Sequence, residues 1–124
     1  MKSGMKFRAL PPVLAALSLP LAAGCRSKHV EFTVENRTGA DIQLLEVDYP
    51  SASFGADRLA SGASMHYRVQ LIGSGPVKVQ FAAGNRGLPA ITGPTLSEDQ
   101  QGALDIVLLP DDKAEFHPSL SPAR

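Results

Sequence analysis

The chain has 124 residues, room for one domain, and its 44% hydrophobic and 19% charged residues make a composition that folds rather than one that stays disordered. The net charge is zero, but Lys2, Lys6 and Arg8 precede the first acid, Glu31, and the chain after Gly24 holds twelve acids against nine bases. A mildly acidic body with scattered Lys and Arg lacks the basic stripe that phosphate backbones require, which argues against a nucleic-acid partner.

Residues 1–24 read as a cleaved targeting segment. "MKSGMKFR" is a positive n-region, "ALPPVLAALSLPLAAG" an apolar h-region, and small residues crowd its end. Pro11, Pro12, Pro20 and a length of 16 residues suit this run poorly to crossing a membrane, since a spanning helix needs about 20 apolar residues. The only cysteine, Cys25, follows directly. Leu21-Ala22-Ala23-Gly24-Cys25 resembles the lipobox of bacterial lipoproteins, with Ala22 where Leu is commoner in that family. The resemblance implies cleavage by signal peptidase II before Cys25. It also implies a diacylglycerol thioether and an N-acyl chain (palmitate-type lipidation) on Cys25, and no other cofactor. Ala22-Ala23-Gly24 also fits an ordinary A-x-A-like site that would leave Cys25 a free thiol. A lone exposed thiol is a liability in an oxidising compartment, whereas lipidation gives the single Cys a purpose. Arg26 follows the Cys in place of the Asp that marks inner-membrane retention. By resemblance, then, the outer membrane is the expected address in a cell that has one.

Residues 25–29 form a short tether, and strand patterning begins at Val30. In "VEFTVEN", Val30, Phe32 and Val34 alternate with Glu31, Thr33 and Glu35, the pattern of a half-buried strand. Alternation slips in "DIQLLEVDY" between Ile42/Leu44 and Leu45/Val47/Tyr49, which predicts a β-bulge or a change of face. "MHYRVQL" sets Met65, Tyr67, Val69 and Leu71 inward, and "PVKVQF" repeats the pattern with Val77, Val79 and Phe81. Gly73-Ser74-Gly75 between them predicts a hairpin of Met65–Ile72 with Pro76–Ala82. "SEDQQ" is the nearest approach to a helical turn, with Gly102 stopping it. "ALDIVLL" reads as a central strand or one that switches sheets, Asp111-Asp112 as a turn, and Ala114 and Phe116 as the inward side of a last strand.

The expected fold is all-β: one antiparallel β-sandwich, immunoglobulin- or fibronectin-like in architecture, of seven or eight short strands over residues 30–118. Residues 119–124 are expected to be a disordered tail. Asn36 to Gly39, Tyr49 to Gly55 and Gly73 to Pro76 give the mature chain a likeness to small bacterial lipoproteins that carry one β-sandwich, a resemblance that implies fold and location only.

Chemistry is sparse. His29, His66 and His117 are isolated, with no H-x-H or C-x-x-C spacing to assemble a metal site. Glu46 and Asp48 share one strand face, while Glu98-Asp99 and Asp111-Asp112 read as solvated turn residues without calcium-loop spacing. Gly73-Ser74-Gly75 is too short for a nucleophile elbow. Catalytic and metal residues are therefore expected to be none. "VDYPSASFGADRL" puts Tyr49, Pro50 and Phe54 in what reads as a loop near Tyr67: either these aromatics cap the sandwich core or they form a binding loop. Two functions remain. One is a non-enzymatic envelope module, tethered through Cys25 to the bilayer and meeting another envelope protein. The other is a lipoprotein that binds a small ligand or glycan at the Tyr49–Phe54 loop.

Overall fold

A computed structural model describes residues 29–83, 86–87 and 90–122. The expected targeting segment, residues 1–24, and Cys25 lie outside the described residues. Nine strands follow in order: β1 Val30–Asn36, β2 Ile42–Tyr49, β3 Ala52–Leu59, β4 Ser64–Val69, β5 Gly75–Ala83, β6 Arg86–Gly87, β7 Ile91–Leu96, β8 Gln100–Leu109 and β9 Lys113–Pro122. Apart from the two-residue β6, these are the eight strands of an all-β sandwich, and its two sheets do not close into a barrel.

One sheet has the order β4-β1-β8-β9; the other is β3-β2-β5, with β6 and β7 both pairing the far side of β5. Every pair is antiparallel except β1–β8, which runs parallel in register from Val30 with Gly102 to Asn36 with Leu108. That exception to the expected antiparallel sandwich follows from the connections. β1 and β8 both start at one end, beside Val69 and Pro122, and run the same way. At this near end lie the connections Pro50–Ser51, Gln70–Ser74 and Ser97–Asp99; at the far end lie Arg37–Asp41, Ala60–Ala63 and Pro110–Asp112.

The alternation in the sequence builds the core. Val30, Phe32 and Val34 of β1, Leu104, Ile106 and Leu108 of β8, and Val77, Val79 and Phe81 of β5 turn inward and are buried. The slip in β2 is a bulge. Pairing with β5 shifts by one residue between Gln43 and Glu46, and Leu44 takes a left-handed φ of 53° and points out, so Ile42, Leu45 and Val47 all stay inside. β8 is a central strand, flanked by β1 and β9.

Two expectations are corrected. Met65–Ile72 and Pro76–Ala82 do not form a hairpin: β4 pairs with β1, and β5 pairs with β2, β6 and β7 in the other sheet. Residues Gln70–Ser74 cross between the layers, anchored by the buried Leu71. Alternation says which face is buried but not which strand lies alongside. The expected tail at 119–124 is also strand as far as Pro122, where Gln100–Ala103 pair with Ser119–Pro122; residues 123–124 lie outside the described residues. "SEDQQ" makes a turn, with the Gln100 amide donating to Ser97 O, and not a helix.

One buried polar side chain ties the far end together. Asn36 is fully buried. Its Nδ2 donates to Ala40 O (2.8 Å) and Leu59 O (3.0 Å), and its Oδ1 accepts from the Thr38 amide (3.0 Å) and the Thr38 hydroxyl (2.8 Å). Its backbone amide donates to Ala63 O, and its carbonyl accepts from the Gly62 amide. Both connections that cross between the sheets here, β1–β2 and β3–β4, are bonded to this residue. Asn36→Ala removes the side-chain partner of the buried Leu59 carbonyl and of the part-buried Thr38 amide, and undoes the link to Ala40 O, so it should lower the unfolding free energy by about 3 kcal/mol. Thr38→Val, at a half-exposed position, should cost under about 1 kcal/mol. Urea unfolding of both variants checks the difference.

Candidate functional site

Two features could carry function: the aromatic group expected to line a loop, and the outer face of the sheet that holds β1.

The segment Val47–Leu59 is a hairpin rather than a loop. Tyr49 pairs with Ala52 and Val47 with Phe54, leaving Pro50 and Ser51 as a two-residue turn. Pro50 at the first turn position and a φ of 84° at Ser51 are the pattern of a type II turn. Phe54 therefore points into the sandwich and is 7% exposed. It stacks on Tyr67 of β4 at 4.7 Å between centroids and meets Phe32 of β1 edge-on at 5.4 Å. Tyr49, half-buried at the end of β2, lies 5.8 Å from Phe32 and 6.2 Å from Phe54. Desolvation raises its phenol pKa, with a smaller push from Tyr67.

Tyr67 and Phe54 belong to opposite sheets and to edge strands, so their stack closes one open side of the sandwich. The other side is closed by Phe116 of β9 lying over Gly93 of β7, where even a methyl group would stand 2.5 Å from the ring. Tyr49, Phe54 and Tyr67 thus cap the core, one of the two roles open to them in the sequence. An open depression of about 580 Å³ lies over β2 and β3, with Leu44, Glu46, Ser53, Gly55 and Asp57 in its lining. Phe54 backs it, but Tyr49, Pro50 and Tyr67 do not line it. Glu46 and Asp48 do share one face: the protonated Glu46 carboxyl can donate a hydrogen bond to Asp48, and this bond, reinforced by the Asp48 charge, raises the Glu46 pKa.

The face of β4-β1-β8-β9 is organised by strand register. Thr33 sits opposite His66 on one side and Asp105 on the other, and Asp105 sits opposite His117, a row across all four strands. His66 Nε2 lies 2.6 Å from Glu31 Oε1, and His66 Nδ1 lies 2.9 Å from the Thr33 hydroxyl. An ionised Glu31 can only accept, so Nε2 donates to it, and in the tautomer with its proton on Nε2 the Nδ1 atom accepts from the Thr33 hydroxyl. Arg68 approaches the other Glu31 oxygen at 3.7 Å and reaches His29 Nδ1 at 3.4 Å. The bond to His66 is the main cause holding the Glu31 carboxyl below its ordinary pKa. Arg37 pairs with Glu35, and His117 with Glu115, on the same face.

Thr33, His66 and Glu31 have the connectivity of nucleophile, base and carboxylate. Their setting differs from an active site. Thr33 lies in mid-strand between β4 and β8, which commits the amides around it to the ladders and leaves no oxyanion donor beside the hydroxyl. His66 and Glu31 side chains are 59% and 43% exposed. Among the described residues no group of three His, Cys, Asp or Glu is placed to hold a metal ion. What the arrangement does offer is a polar sheet surface on which Glu31, Thr33, His66 and Arg68 are linked to one another. The alternation puts each of these residues on an outward face; only the pairing of β1 with β4 brings them together, and the sequence does not carry it.

Comparison with family models, with curated proteins and with solved structures returns no match for this chain.

Phe54→Ala should cost about 3–4 kcal/mol of stability, the range for deleting a buried phenyl ring. Tyr67→Ala, half-exposed on an edge strand, should cost about 1 kcal/mol. Denaturation that leaves Phe54→Ala at wild-type stability would mean the ring is a free surface group and not part of the core.

Proposed function

We propose that this chain is a lipid-anchored lipoprotein of the bacterial cell envelope, held in the bilayer through Cys25, whose sandwich is a non-enzymatic module that meets another envelope protein. Its address is the periplasmic face of the outer membrane in cells that have two membranes. The anchor rests on the lipobox-like Leu21–Cys25. Two or three acyl chains hold stably where one holds only marginally, since each buried methylene contributes about 0.8 kcal/mol.

The observation that carries the module reading is the division of labour among side chains. The aromatics that could have lined a ligand site are used to close the core between β3 and β4. On the outer face of β4-β1-β8-β9, by contrast, polar groups are linked to one another: Glu31 with His66 and Arg68, Glu35 with Arg37, and Glu115 with His117. A pre-ordered polar face loses little side-chain entropy when a complementary partner covers it. The small-ligand alternative needs a concave aromatic-lined site, and the depression over β2 and β3 is lined mostly by small and acidic residues.

Growth with labelled fatty acid should give a labelled protein, and Cys25→Ser should lose both the label and detergent partition. In the same cells, a photocrosslinking residue replacing Asp105 should trap one partner, and one replacing Gln80 on the opposite sheet should not. Equal labelling of Cys25→Ser would remove the anchor. Equal crosslinking from the two faces would remove the assignment of the interface.

A further inference from the structure

Resting on the lipid-anchor reading, we infer that the near end of the sandwich lies against the bilayer and that Ile72 enters its interface. β1 begins at this end, so the chain from Cys25 reaches the domain here. Four residues, Arg26 to His29, separate the anchored Cys25 from Val30, and the five steps from Cys25 to Val30 span at most about 18 Å when fully extended. The seven residues of β1 rise about 20 Å towards the far end. The tether is thus no longer than the body it holds. The near end stays next to the lipid, and the Asn36 end is carried away from it.

The near end presents the apolar residue this position calls for. Ile72 is 64% exposed. It sits in the Gln70–Ser74 crossing, between the buried Leu71, which fixes the loop to the core, and Gly73, whose φ of +84° turns the chain back. The crossing is braced on both sides. The Glu98 amide donates to Ser74 Oγ, and Pro50 of the neighbouring turn comes within ordinary contact of a methyl group placed at Gly75. Leu44 and Tyr67, the other large apolar residues left exposed among the described residues, lie within strands, on β2 and β4, and not in an end loop. Charge does not set the orientation: Arg26 and Lys28 of the tether are matched by Glu98 and Asp99 of the near-end turn. Tether length and the apolar side chain do.

The acylated mature protein can be read directly, because a thioether-blocked Cys25 leaves an introduced cysteine as its only thiol. Ile72→Cys and, at the far end, Ser61→Cys would each be labelled with an environment-sensitive fluorophore and reconstituted into phosphatidylcholine vesicles containing brominated lipid. The expected result is a blue-shifted emission from position 72, quenched several-fold more strongly than that from position 61. Equal quenching at the two positions, in protein whose Cys25 carries lipid by mass spectrometry, overturns the orientation and leaves the anchor intact. A Cys25 that carries no lipid and takes up the fluorophore overturns both.

Discussion

Asn36 is the point where the two layers of the sandwich are joined. Its backbone continues β1 in one sheet, while its side chain bonds to the carbonyls of Ala40, just before β2, and of Leu59, at the end of β3, both of the other sheet. The Gly62 amide and the Ala63 carbonyl, on the way back to β4, bond to its main chain. A carboxamide suits the position because it offers two donors and two acceptors on a short stem, and here all four are used. A buried amide left half-satisfied would destabilise the fold by more than an apolar side chain would. Satisfied, it sets where β1 stops and where β2 and β4 begin. The register of β1 with β4 and β8 runs up to this fixed point.

From that clasp the rest of the packing follows. With β1 turned into the other sheet at the far end and β8 arriving from it at the near end, the two strands lie parallel in the centre of their sheet and bury Phe32, Val34, Leu104 and Ile106 together. Such a sandwich is open along two sides, and each is shut by aromatic packing: Phe54 on Tyr67, and Phe116 over Gly93. The edge strand β9 carries Pro118 and Pro122, which cannot donate to a further strand. Polar surface is left for the outer faces, and on one of them strand register converts separate residues into a connected set around Glu31 and His66.

The strands themselves were legible because half-burial leaves a period of two, and even the slip at Leu44 marked a real bulge. The partners of those strands were not. Gly73-Ser74-Gly75 reads as a hairpin turn, yet the same permissive backbone serves a crossing between layers, and nothing in Met65–Ile72 or Pro76–Ala82 encodes that their neighbours are β1 and β2. "SFG" reads as a loop because small residues dilute the alternation, although Phe54 is core. The expected tail holds Pro122, which an edge strand accommodates. The polar face was hidden for the same reason as the pairing: Glu31, Thr33 and His66 are each visible as outward residues, but their contact exists only once β1 and β4 are aligned. The anchor proposed at Cys25, in contrast, rests on its sequence neighbours alone and is independent of the fold.

Native-state hydrogen exchange tests the role of Asn36 most directly. Amides in end turns ordinarily exchange through small local openings, while those of central strands require global unfolding. If the clasp holds the two layers together, the amides of Asn36, Thr38 and Gly62 will exchange with the same opening free energy as those of Val34 and Val79. Exchange of the three far-end amides well before the strand amides, at low denaturant, would show that this end frays independently and would contradict the account.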